Sequence, residues 1–110
     1  MVQPLSKTAL DEIVRRIVRI AEPERIVLFG SAARGTMGPD SDIDLLVIKR
    51  GPVHRRQLAG EIYRHLGSVE YAVDVVVVTP EDIERYKDSH ALVIAPALRE
   101  GTVVYDSGTL

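Results

Sequence analysis

Residues 25–48 read RIVLFGSAARGTMGPDSDIDLLVI, two short apolar runs on either side of a small, polar segment. The first run, residues 25–29, is β-branched and apolar, and it predicts a buried strand that ends at Gly30. Residues 31–41 are small and polar, which is typical of a turn, with room for a short helix, followed by a loop. Residues 42–48 predict a second strand that is charged at its start and apolar beyond it.

The sequence on either side of this stretch adds helices and further strands. Apolar residues recur at helical spacing in three segments, and a valine-rich run predicts a third strand. Thr79-Pro80 is typical of a helix start, with Thr79 as N-cap and Pro80 at the first position. Pro96 counts against the last helix, because proline removes a backbone hydrogen bond. The predicted helices span residues 5–21, 53–66 and 90–99, the third strand spans residues 72–78, and an optional edge strand spans residues 102–105.

The predicted order of elements is αβαβαβα with an optional final strand. This alternation predicts a mixed α/β (α+β) domain, with a small mixed sheet of three to four strands flanked by helices. The 110 residues, of which 45% are hydrophobic, suit one domain over residues 1–110, because a second core would not fit in so short a chain.

Composition excludes several kinds of function. The chain has no cysteine, and its 3 histidines lack the spacing of metal ligands, so a bound metal would be a hard ion held by oxygen. The 14 basic and 16 acidic residues give a net charge of -2, which argues against bulk nucleic acid as a partner. The apolar runs are too short to cross a membrane and the N-terminus does not resemble a signal peptide, so we expect a cytoplasmic protein.

Gly30 and Ser31 follow the first predicted strand. Glycine lets the backbone approach a phosphate closely, and the amides of the next turn can donate to it. The same pair is also typical of an ordinary turn and helix cap. Arg34, in the loop beyond, either contacts a triphosphate or is a solvated turn arginine. A P-loop is excluded, because Arg34 replaces the lysine that this motif requires.

Asp42 and Asp44 open the second predicted strand. Residues two apart on a strand project from the same face, roughly 7 Å apart at a rise of ~3.3 Å per residue. Two carboxylates so placed can bind Mg²⁺, although two solvated residues at a strand end would have the same spacing. An EF-hand is excluded, because Leu45 and Gly51 stand where its glycine and glutamate are required.

Asp74 interrupts the run YAVDVVVV of residues 71–78. The run predicts a strand buried on both faces, where an unpaired carboxylate is costly. Asp74 therefore needs a partner, and a metal ion near Asp42 and Asp44 would supply one. A salt bridge to an arginine, or an exposed strand face, is the alternative.

Other residues carry weaker signals. The densest basic cluster, residues 54–56, is interpreted as a solvated helix start, because no aromatic residues interleave it as they would in a nucleic-acid patch. Three tyrosines are interpreted as half-buried amphipathic residues: Tyr63, Tyr86 and Tyr105.

Gly30-Ser31, ten intervening residues and Asp42-Ile43-Asp44 together resemble the motif of the DNA polymerase β-like nucleotidyltransferase superfamily. A third carboxylate, Asp74, lies on the next predicted strand, as the family pattern requires. The resemblance covers nearly the whole chain, whose length and ending, LREGTVVY over residues 98–105, are similar to the minimal nucleotidyltransferases of prokaryotes. It implies the polymerase β-like nucleotidyltransferase fold.

The resemblance also implies a two-ion transfer. Asp42 and Asp44 would bind both divalent ions, and Asp74 would complete the site of the ion that activates the attacking hydroxyl. The ions would be Mg²⁺, with Mn²⁺ as a substitute, and ATP would be the substrate, with its pyrophosphate cradled at the glycine-serine turn. The implied nucleotide-binding residues are Gly30, Ser31 and Arg34.

A partner protein follows from the same resemblance. Prokaryotic minimal domains are commonly paired with a small helical HEPN protein as antitoxin and toxin, which implies adenylyl transfer from ATP to a tyrosine of that toxin. Two alternatives remain open: a non-catalytic nucleotide-binding antitoxin that acts by burying apolar surface, and a transferase to a small-molecule hydroxyl. A homo-oligomer is compatible with the sequence.

Overall fold

The computed structural model describes residues 7–30, 43–67, 71–86 and 94–108. The described residues form one sheet flanked by helices, as the alternation of elements predicts. The helices are α1 (Lys7–Ala21), α2 (Arg55–His65), α3 (Pro80–Tyr86) and α4 (Ile94–Glu100), and the strands are β1 (Arg25–Phe29), β2 (Ile43–Ile48), β3 (Val73–Val78) and β4 (Thr102–Asp106).

The sheet has four strands in the order β3-β2-β1-β4. β1 runs antiparallel to both β2 and β4, whereas β2 and β3 are parallel. A parallel pair needs a crossover connection, and the segment that contains α2 supplies it. The prediction of a small mixed sheet of three to four strands flanked by helices is therefore confirmed.

Helices cover both faces of the sheet. On one face, Ile17 of α1 and Ile62 of α2 belong to the same core cluster as Leu45 of β2. On the other face, Ile94 of α4 is buried together with Leu46 of β2. Leu45 and Leu46 are both 0% exposed, because consecutive strand residues point to opposite faces and both faces are covered.

Some element boundaries differ from the predictions. α2 begins at Arg55 instead of near residue 53, and β4 extends to Asp106. Pro96 is the third residue of α4, in the first turn, where backbone amides have no acceptor within the helix, so this proline costs no hydrogen bond. The turn and short helix predicted over residues 31–41 lie outside the described residues.

α3 begins with a reciprocal cap, which confirms the predicted N-cap at Thr79. The Thr79 hydroxyl accepts a hydrogen bond from the Asp82 amide at 3.1 Å, and the Asp82 carboxylate accepts one from the Thr79 amide at 3.0 Å. Asp82 also pairs with Arg55 at 2.5 Å, which ties the start of α2 to the start of α3. Burial acts to raise the pKa of Asp82, but the Thr79 hydrogen bonds and the Arg55 charge outweigh it and hold that pKa below its ordinary value.

We expect Asp82→Asn to destabilise the protein more at neutral pH than in acid. Because the folded pKa of Asp82 is lowered, its charge stabilises the fold above the ordinary carboxyl pKa of about 4, and this contribution is lost as the pH falls through the folded pKa. Denaturant unfolding of both proteins across this range measures the difference in the free energy of unfolding. That difference should shrink toward acid.

Glu81→Gln is the matched control, since Glu81 is an exposed carboxylate in the same helical turn. Its effect should depend on pH less than that of Asp82→Asn. A difference between wild type and Asp82→Asn that stays constant with pH would contradict the assigned role of the Asp82 charge.

Candidate functional site

Asp44 and Asp74 lie opposite one another on the two parallel strands. Each is the second residue of its strand, and the register of β2 and β3 pairs their α-carbons. Neighbouring strands are about 4.8 Å apart, and paired residues of a parallel ladder project from the same face. The two carboxylates therefore project side by side from one face of the sheet.

Core packing determines which face this is. Ile43 and Leu45, on either side of Asp44, are 0% exposed in the core formed with α1 and α2. Since side chains alternate along a strand, Asp44 shares the other face with Leu46 and Ile48. These two residues are buried with residues of α3 and α4, whereas Asp44, nearer the start of β2, is half-buried. The carboxylates thus lie at the less covered end of this face.

Asp74 is exposed, so the prediction of a strand buried on both faces is wrong at this position. β3 is an edge strand, and its burial becomes strong only beyond Asp74, where Val75, Val77 and Val78 are buried. The cost of desolvation therefore does not require a partner for Asp74. Its place in the candidate site depends instead on its register with Asp44.

Gly30 brings the end of β1 against the Asp44 carboxylate. Phe29, the last residue of β1, is the register partner of Asp44. Gly30 follows with a φ of +75°, in the left-handed region that favours glycine. A Cβ built on Gly30 would overlap Oδ2 of Asp44 and lie 3.2 Å from its Cγ. Glycine is thus required here both by the backbone turn and by the position of the carboxylate.

The described part of the chain contains Gly30, Asp44 and Asp74 from the predicted set. Ser31, Arg34 and Asp42 lie outside the described residues, and their roles stay predictions. Among residues 7–30, 43–67, 71–86 and 94–108, no three acidic or histidine side chains are grouped so that they could hold a metal ion. The structure therefore brings together two of the three predicted carboxylates, beside the predicted glycine.

The chemistry of these residues suits a hard divalent cation. Two carboxylates directly opposite on neighbouring strands repel one another, and a cation close to both would remove that cost. Mg²⁺ prefers oxygen ligands and is held by one or two carboxylates, with water and substrate phosphates in its remaining positions. The half-buried Asp44 and the exposed Asp74 leave room for those further ligands. Both side chains thus fit the implied metal.

Tyr63 is a residue whose position the sequence analysis did not predict. It is 41% exposed, so its interpretation as half-buried is wrong. Its hydroxyl oxygen accepts a hydrogen bond from the backbone amide of Val75 at 2.7 Å and lies 3.5 Å from the Val75 carbonyl oxygen. This contact joins α2 to the edge strand at the residue after Asp74. No local sequence pattern indicates it, because it depends on how α2 packs against the sheet.

A mixed sheet flanked by helices, with paired acidic residues at one end beside a strand-ending glycine, defines the class to which this protein belongs. The family model of the nucleotidyltransferase domain matches residues 10–101. The chain belongs to the nucleotidyltransferase domain family. No curated protein matches the sequence at a significant level.

Several solved structures share the fold. A chain from the crystal structure of a toxin–antitoxin with AMP-PNP is 22% identical, with 89% of this chain and 74% of that chain covered and a TM-score of 0.57. A chain from the toxin–antitoxin MntA–HpeT is 19% identical, with 94% and 76% covered and a TM-score of 0.57. A chain from the complex of tri-AMPylated Shewanella oneidensis HEPN toxin with MNT antitoxin is 19% identical, with 94% and 74% covered and a TM-score of 0.54. The predicted polymerase β-like nucleotidyltransferase fold is confirmed.

None of the helices that the structure describes is long and apolar enough to cross a bilayer.

We expect Gly30→Ala to weaken the binding of Mg·ATP by about tenfold or more, an effect of roughly 1.4 kcal/mol. The added methyl group would collide with the Asp44 carboxylate and displace it. Titration calorimetry with a non-hydrolysable ATP analogue measures this change.

Gly51→Ala is the matched control. Gly51 also has a positive φ, of +89°, but a Cβ there would meet nothing within 4 Å. Both variants should lose stability from the strained backbone, on the order of 1–3 kcal/mol. Only Gly30→Ala should lose nucleotide affinity, and an equal loss in both variants would contradict the contact with Asp44.

Proposed function

We propose that this protein is a metal-dependent adenylyltransferase that transfers AMP from ATP to a tyrosine hydroxyl of a HEPN-type partner protein and thereby acts as its antitoxin. The observation that carries the proposal is the pairing of Asp44 with Asp74 beside Gly30. This pairing places two oxygen ligands next to a strand end whose following amides suit a phosphate. Membership in the nucleotidyltransferase domain family supports the reaction class.

The residues have distinct proposed roles. Gly30 and Ser31 hold the triphosphate through the backbone after β1, and Arg34 adds a positive charge to the nucleotide site. Asp42, Asp44 and Asp74 would hold the two Mg²⁺ ions, for which Mn²⁺ would substitute. When bound, such ions neutralise charge that develops on the attacking and leaving oxygens.

The proposed reaction exchanges one ester bond for one anhydride bond. The tyrosine oxygen forms a new bond to the α-phosphorus of ATP, and the bond from that phosphorus to the bridging oxygen of the β-phosphate breaks. Pyrophosphate leaves with the bond's electron pair. The hydroxyl proton moves to a carboxylate oxygen of Asp74, which is exposed and can pass it to water.

The edge position of β3 gives the acceptor a direction of approach. Gly30 lies on the β1 side of Asp44, whereas Asp74 lies on the opposite side, at the edge of the sheet. A groove of about 240 Å³ continues along the same strand beyond Asp74, and Val76, Tyr86 and Ile94 contribute to its wall. Nucleotide on one side of Asp44 and acceptor on the other would align the attacking and leaving oxygens on opposite sides of the α-phosphorus.

The proposed acceptor and partner come from the structural relatives. One relative is a chain from a complex of an AMPylated HEPN toxin with an MNT antitoxin, and another is from a toxin–antitoxin with AMP-PNP. Identities of 19% and 22% show the shared fold alone, so the extension to this chain is the proposal.

The proposal is tested with radiolabelled ATP, Mg²⁺ and the HEPN-type protein encoded beside this chain. We expect label on a tyrosine of the partner, located by peptide mass spectrometry. Asp74→Asn should lower the rate roughly a hundredfold or more, the scale for removing a group that stabilises transition-state charge. Asp11→Asn, which changes an exposed carboxylate on α1, is the matched control and should transfer at the wild-type rate.

The same variants separate the proposed enzyme from a binding antitoxin. If Asp44→Asn and Asp74→Asn neutralise the partner as well as wild type does, the antitoxin acts without catalysis and the proposal fails. If the wild type labels no partner tyrosine but does label a small-molecule hydroxyl, the transferase chemistry stands and the acceptor assignment fails.

A further inference from the structure

The free edge of β3 presents alternate backbone groups to the outside. The Ala72 and Val78 carbonyls accept hydrogen bonds from Ile43 and Lys49, both at 2.8 Å, on the side of β2. In a parallel ladder the residues that bond to the neighbouring strand alternate with residues that do not. Even-numbered residues of β3 therefore face β2, and odd-numbered residues turn their amides and carbonyls to the outer edge.

Val75 is the odd-numbered residue that directly follows Asp74. The Tyr63 hydroxyl closes its outer edge, with the Val75 amide at 2.7 Å and the Val75 carbonyl oxygen at 3.5 Å. A single side chain thus occupies both backbone groups of Val75, where a further strand would otherwise pair. The contact holds β3 at the peptide that joins Asp74 to Val75.

Tyr63 is itself held in place by the core. The preceding residue, Ile62, is 1% exposed, and Leu66, one turn later, is 5% exposed. Arg16 of α1 donates a hydrogen bond to the backbone carbonyl of His65 at 3.2 Å, near the end of α2. The Tyr63 hydroxyl is therefore a fixed point relative to the core, whereas the start of β3 is bonded by strand pairing on one side only.

We propose that Tyr63 is a positioning residue that holds Asp74 in register with Asp44. Asp74 is the second residue of an edge strand and is exposed, so core packing alone constrains it weakly. The Tyr63 hydroxyl supplies the missing constraint one residue away. The consequence for chemistry rests on the proposed function, in which Asp44 and Asp74 hold the same divalent ions, because a displacement on the order of 1 Å is enough to impair a catalytic group.

Tyr63→Phe tests the inference, since it removes the hydroxyl and keeps the ring. We expect the affinity for Mn²⁺, measured by calorimetry in the presence of a non-hydrolysable ATP analogue, to fall about tenfold, as for groups that orient metal ligands. Hydrogen exchange should become faster at the amides of Asp74 and Val75. The transfer rate at low metal concentration should fall, with recovery as the metal concentration rises.

Tyr105→Phe is the matched control, because it removes a tyrosine hydroxyl from β4, the opposite edge of the sheet. It should leave Mn²⁺ affinity and exchange at Asp74 at wild-type values. If Tyr63→Phe lowers the melting temperature but leaves both of these measurements unchanged, Tyr63 is only a structural residue and the inference is overturned.

Failure of the proposed function gives a different result. In that case the wild-type protein itself binds no Mn²⁺ with the nucleotide and transfers no label. The exchange experiment then decides the inference on its own: faster exchange at Asp74 in Tyr63→Phe supports a positioning role, and unchanged exchange overturns it.

Discussion

The parallel pairing of β2 with β3 is the constraint on which the candidate site depends. It places Asp44 opposite Asp74, on the face of the sheet shared with Leu46. A slip of one residue along either strand would turn that strand's carboxylate to the opposite face, because side chains alternate with a period of two. Acidic residues meet here only because the register is fixed elsewhere.

Apolar packing fixes that register against a local repulsion. Two like charges directly opposite on a sheet cost roughly 0.2–1 kcal/mol. Burial of one large aliphatic side chain contributes about 1.5–3 kcal/mol, and Ile43, Leu45 and Leu46 are all 0% exposed around Asp44. The core therefore outweighs the repulsion several times over. This balance lets the protein keep two adjacent carboxylates at the start of neighbouring strands, where a divalent cation is the natural counter-charge.

Much of this arrangement can be predicted from short-range patterns, and the remainder depends on tertiary contacts. The apolar runs at residues 25–29 and 42–48 predict adjacent strands, and the glycine between them predicts the turn against Asp44. Burial of Asp74 was wrongly predicted, because a valine run does not show whether its strand lies at the centre or the edge of a sheet. The Tyr63 contact was missed for a similar reason, since it joins two elements through packing that has no local signature. Ser31, Arg34 and Asp42 are placed by sequence pattern alone.

The shared cation is the claim that joins the fold to the chemistry. Crystals grown with Mn²⁺ and a non-hydrolysable ATP analogue, measured at the manganese absorption edge, would locate the ion directly by its anomalous scattering. We predict a peak about 2.1 Å from carboxylate oxygens of both Asp44 and Asp74, the distance typical of a small divalent ion with oxygen ligands. A manganese peak that contacts neither carboxylate, with the nucleotide bound elsewhere on the chain, would contradict the assignment.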